Sequence, residues 1–81
     1  MNGWADLDDT VLRLLGDGEQ HDGREVQRRL SGIDARHVRV SLALHVKAGR
    51  LVEMHGAVAT SYRITRAGLT HLQTTSLTKA A

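Results

Sequence analysis

Apolar residues near the start of the chain recur at helical spacing. Leu7, Val11, Leu14 and Leu15 fall at i, i+4, i+7 and i+8, one face of a helix predicted over 7–15. Asp6 is placed to cap it, and Asp8 and Asp9 stand in the first turn, where the helix dipole favours negative charge. Gly16-Asp17-Gly18 ends it. A second helix is predicted from Asp22, because Asp22 and Glu25 form a D-x-x-E arrangement in which each side chain satisfies a free backbone N–H. Val26 and Leu30 mark its buried face, with Arg24, Gln27 and Arg28 mostly outside. Ser31-Gly32 breaks it, and Ile33 re-enters the core.

Residues 34–49 carry two periods at once. With helical period, Ala35, Val38, Ser41, Leu42 and His45 share a face between an N-cap at Asp34 and a stop at Gly49. With period two, Val38, Val40, Leu42, Leu44 and Val46 alternate as a strand does. The capped segment is about three times an average strand of roughly five residues, so the helix is preferred. Two strands follow, over 51–55 and 59–64, with a loop around Gly56. Thr65 then caps a last short helix carrying Leu69 and Leu72. The reading is one domain over 1–73 and a flexible C-terminal tail over 74–81.

At 81 residues one domain is the expected count. Trp4 and Tyr62 are the only aromatics, so the core must be nearly all aliphatic. The absence of cysteine excludes disulfides and thiolate metal sites. No apolar run has the length of a membrane span, and residues 1–6 do not read as a secretory signal. The expectation is a soluble, cytoplasmic protein with no membrane association. Residues 1–22 hold six acids against one arginine, a balance of −5, while residues 23–81 hold ten Lys/Arg against three acids, a balance of +7. A basic body behind an acidic first segment points to a polyanionic partner.

Three stretches carry a resemblance to a known group. Residues 23–33 (GREVQRRLSGI) look like the second helix and turn of bacterial and phage winged helix-turn-helix transcriptional regulators. Leu42 and the run Ala48-Gly49-Arg50-Leu51-Val52-Glu53 are similar to the end of their recognition helix and the entry to the wing. Residues 62–69 (YRITRAGL) resemble the second wing strand and the helix after it. The order and spacing cover nearly the whole chain. The resemblance implies a mainly α fold with a small β-ribbon: a three-helix core, a two-stranded wing and a short C-terminal helix. His45 departs from the pattern, which usually has an apolar residue there; it reads as structural, either a neutral hydrogen-bonded ring or one displaced by a roll of the helix that buries Val46 instead.

In that architecture the third helix enters the major groove of double-stranded DNA. With Val38 and Leu42 inward, Arg36, His37, Arg39, Val40 and Lys47 fall on the exposed arc or its flanks. Arg36 and Arg39 suit paired hydrogen bonds to guanine, His37 a base or phosphate, Val40 a thymine methyl and Lys47 a phosphate. Arg24, Gln27 and Arg28 from the second helix are candidates for backbone contacts, as are His55 and Arg63 from the wing and Arg66 beyond it. The function implied is site-specific transcriptional regulation by occupancy.

Catalysis finds little support. His21, His37, His45, His55 and His71 lack zinc spacing, no Gly-rich phosphate loop is present, and the serines lack a nucleophile context. Asp6, Asp8 and Asp9 read as a helix start rather than a metal run. No enzyme activity, metal or cofactor is expected. The alternative function is a protein-interaction module on the same fold, an inhibitor or assembly factor, because Val40 and Leu44 are aliphatic on a supposedly DNA-facing side. Trp4, Val40, Leu44 and Leu77 are surplus apolar residues that point to a homodimer.

Overall fold

Nine aliphatic side chains meet in one core: Leu7, Val11, Leu12, Leu15, Val26, Val38, Leu42, Leu51 and Ile64. They come from every helix but the last and from two strands of the sheet. The computed structural model describes the backbone of residues 3–80 and the side chains of residues 6–75. The described residues form helix α1 (Gly3–Leu14), strand β1 (His21–Asp22), helices α2 (Gly23–Arg29) and α3 (Ala35–Lys47), strands β2 (Leu51–His55) and β3 (Thr60–Ile64), and helix α4 (Arg66–Ala80). The architecture is mixed α/β, with four helices and a three-stranded antiparallel sheet in the order β1-β3-β2.

Three of these elements correct the expectation from sequence. Helix α1 begins at Gly3, so Asp6 lies in its first turn instead of capping it. Its inward face also takes in Leu12, fully buried, where the sequence pointed to Leu14, which is half-buried. The ribbon gains a third strand, β1, pairing His21 with Tyr62 and Asp22 with Ser61. Helix α4 does not stop at Gln73. The Thr74 and Thr75 hydroxyls donate to the carbonyls of Thr70 and His71, one turn back, and the helix continues to Ala80.

The caps do most of the local specification. Asp22 ends β1 and starts α2 by accepting from the backbone N–H groups of Arg24 at 2.7 Å and Glu25 at 3.0 Å. These bonds hold its carboxyl below the usual range, the Glu25 N–H contributing most. The Glu25 side chain does not return the bond; it is drawn instead to the ring of His21. Asp34 opens α3 by accepting from Arg36 N at 2.8 Å. Helix α3 closes in a Schellman arrangement: Gly49 N donates to Val46 O, Arg50 N donates to His45 O, and Gly49 has φ 81°. Thr65 accepts from Gly68 N at 3.1 Å and donates to Gly49 O at 2.7 Å, so α4 starts against the end of α3.

Helix is the conformation of 35–47. Val38, Ser41, Leu42 and His45 are buried, at i, i+3, i+4 and i+7. Of the other apolar residues of the period-two pattern, Val40 and Leu44 remain about half exposed and Val46 packs partly buried against the core.

Candidate nucleic-acid interface

Helix α3 is seated by a polar network on its α1 side. Ser41 Oγ donates to Asp8 Oδ1 at 2.6 Å. His45 contacts the Asp8 carbonyl through Nε2 at 2.8 Å and receives the Arg50 Nε–H on Nδ1 at 2.9 Å. An arginine nitrogen can only donate, so Nδ1 is bare and the ring is the neutral Nε2–H tautomer. Burial lowers the His45 pKa below the ordinary histidine value, in keeping with that form. These bonds fix the roll of α3 and therefore which residues it turns outward.

Ala35, which helical spacing puts with the buried residues, is exposed in the first turn; the other outward residues are Arg36, His37, Arg39, Val40, Ala43, Leu44 and Lys47. Helical spacing divides them. Arg39 flanks the hairpin side, while His37 and Leu44 flank the side nearer α1, and Arg36, Val40, Ala43 and Lys47 run along the middle. No acidic residue occurs in α3. Arg36 Nε lies 4.0 Å from Asp34 Oδ1, and no described residue forms an ion pair with Arg39 or Lys47.

Arg39 meets the second helix across an open cleft of about 400 Å³. Arg24, Gln27, Arg39 and Tyr62 line it, with the loop at 56–59 forming its far wall. Arg28 is exposed beside it, sharing a shallow depression with Asp22, Arg24, Gln27 and Ser31. Tyr62 was not singled out from sequence, although it is one of only two aromatics. Burial, with Glu53 nearby, raises its pKa, so the phenol stays protonated and able to donate.

The remaining candidates lie elsewhere. His55 Nε2 sits 2.7 Å from Glu53 Oε1, two residues away on the same strand face, so its ring already has a carboxylate partner. The loop beyond it, Gly56-Ala57-Val58-Ala59, carries no cation, and Val58 is 87% exposed. Arg63 pairs in register with Val52 and alternates with Tyr62, which puts it on the sheet face away from the cleft. Arg66 opens α4 beside the C-terminal end of α3. The structure thus brings Arg24, Gln27 and Arg39 together and keeps Arg63 apart from them.

The chain is similar to the solved structure of a transcriptional regulator from Clostridium thermocellum, with TM-score 0.75 and 25% identity, over 94% of this chain and 85% of that one. The fold is one that a transcriptional regulator uses. No family model matches the sequence, and a search of curated proteins finds no match. Among the described residues no helix is long and apolar enough to cross a membrane, and no group of three or more His, Asp or Glu is arranged to hold a metal ion.

Proposed function

We propose that this chain is a small DNA-binding transcriptional regulator of the winged helix-turn-helix kind, acting in the cytoplasm by occupying its site. One observation carries the reading. Helix α3 turns Arg36, Arg39 and Lys47 away from the core, contains no acid, and has Arg24, Gln27 and Arg28 alongside. In this reading α3 lies in the major groove, with Arg36 and Arg39 near its N-terminus reaching base edges and His37 at the flank. Arg24, Gln27 and Arg28 meet phosphate on one side, and Lys47 and Arg66 on the other. The β2–β3 hairpin is the wing. His55 and Arg63 have lesser roles there, the first because Glu53 is already its partner and the second because it faces away. The similarity to a transcriptional regulator supports the same reading. The mechanism is binding without catalysis.

A second reading has its own observation. Val40 and Leu44 are 47% and 46% exposed on the same face, Val40 along its middle and Leu44 on the flank nearer α1. A protein-interaction module would use them as buried anchors for a partner. An electrophoretic shift against random duplex DNA over a salt series separates the two. A DNA-binding chain shows affinity that falls linearly on logarithmic axes as counterions are recaptured. A chain with no duplex affinity at low salt is an interaction module.

A further inference from the structure

The outward face of α3 is part cationic and part apolar, and the two parts are ordered. Val40, Ala43 and Leu44 stand three and four residues apart and so form one exposed strip. Arg36 lies one turn before Val40, Lys47 one turn after Ala43, and Arg39 on the flank facing the cleft. Any occupant of this face must bury a narrow apolar strip and neutralise the cations around it. A protein partner would need an apolar ridge set within carboxylates. The major groove supplies both features: phosphates run along its two sides, and its one apolar group is the C5 methyl of thymine. Charge complementarity therefore favours DNA as the occupant.

We infer that, resting on the DNA-binding reading above, Val40, Ala43 and Leu44 select thymine methyls, while Arg36 or Arg39 selects an adjacent guanine. Three or four residues advance about 4.5–6 Å along a helix axis. Base pairs are spaced about 3.4 Å apart, so the strip covers roughly two or three consecutive pairs. The target half-site is then a G·C pair followed by a short A·T run whose thymine methyls face α3. The half-exposed aliphatic residues become specificity determinants, and each has a chemical counterpart in the groove.

The test alters the DNA by one methyl at a time. Sites are selected from a random duplex library with the full chain, and the enriched duplex is remade with deoxyuridine replacing each thymidine of the A·T run. This substitution removes the methyl and leaves base pairing and every hydrogen-bond acceptor in place. Affinity is expected to fall about three- to five-fold for each contacted methyl, the scale of burying one methylene-sized group. The double variant Val40→Ala, Leu44→Ala is expected to bind the thymine and uracil duplexes alike. Both side chains are half exposed, and circular dichroism checks that the variant keeps its fold. Equal binding of the two duplexes by the unaltered chain overturns the inference and leaves the DNA-binding reading standing. Full sensitivity to uracil in the double variant, or unchanged affinity of that variant for the selected duplex, also overturns it, the latter in favour of a protein partner. Failure to enrich any sequence overturns the reading beneath it and the inference with it.

Discussion

His45 Nε2 donates its proton to the Asp8 carbonyl oxygen across 2.8 Å, joining the first turns of α1 to the last turns of the proposed recognition helix. The bond requires a neutral ring, because Arg50 already occupies Nδ1 as a donor. Protonating Nδ1 would set two donors against each other inside the core.

Acid is therefore expected to weaken the fold through His45. Its folded pKa lies below the ordinary histidine value of 6.5, so between those two pKa values the unfolded chain binds a proton that the folded chain refuses. Stability falls as pH drops below 6.5. The variant His45→Leu, measured by urea unfolding, should lose about 1–2 kcal/mol at pH 7 from its missing hydrogen bonds. It should also lose the part of the acid sensitivity that belongs to this window. An unchanged slope in the variant contradicts the assignment.

His21 behaves in the opposite sense. Its buried ring touches Glu25 through Nδ1 and Asp17 through Nε2, at 2.9 Å to Asp17 Oδ2. Two carboxylates, Asp17 foremost, favour the imidazolium and raise its pKa above 6.5. That contribution is fully present below 6.5 and is lost as pH rises through the raised folded value. A nuclear magnetic resonance titration should place His21 above 6.5 and His45 below it. The reverse order would show that one of the two networks has been misassigned.

Gly68→Ala should destabilise, although alanine is the better helix former by about 1 kcal/mol. A Cβ at Gly68 would stand 2.4 Å from the Arg50 carbonyl oxygen and 2.6 Å from Ile64 Cγ1. The first neighbour is backbone and cannot swing aside, so α4 must shift from the sheet. Overpacking of this kind costs about 1–3 kcal/mol in urea unfolding. A neutral or stabilising result would mean that α4 docks less tightly.

On its site the chain is expected to be a symmetric dimer, with half-sites about one helical turn apart. The side chains of Trp4 and Leu77 lie outside the described residues, and Val40 and Leu44 are assigned to DNA. Among the described residues, the large exposed apolar side chains left for a dimer contact are Val52, Val58 and Leu69, 45%, 87% and 40% exposed. Sedimentation should show two chains per duplex. Monomers alone at high concentration, with and without DNA, would contradict it.

Much of this was legible from caps and spacing. Asp22, Asp34, Gly49 and Thr65 all mark element ends in the structure, and His45 is structural as read. The caps and the length of the segment also favour helix for residues 34–49 over a perfect period-two alternation, in which Ala48-Gly49 would have served as a hairpin turn. Other features had no local signal. Strand β1 is two residues long and exists only because β3 has an open edge to pair. The cleft joins Arg24, Gln27 and Arg39 to a hairpin loop distant in sequence, so no motif announces it. The pairing of His55 with Glu53 could have been found, since residues i and i+2 of a strand share a face.

The central claim is that α3 reads DNA, and the most direct measurement is a binding titration of Arg36→Ala and Arg39→Ala on a selected and a random duplex. At least one arginine variant should lose about 1–3 kcal/mol on the selected duplex, roughly five- to 150-fold, with a much smaller loss on the random one. Lys47→Ala should weaken both duplexes and lower the salt slope by about one. Unchanged affinity of both arginine variants for the selected duplex would contradict the account.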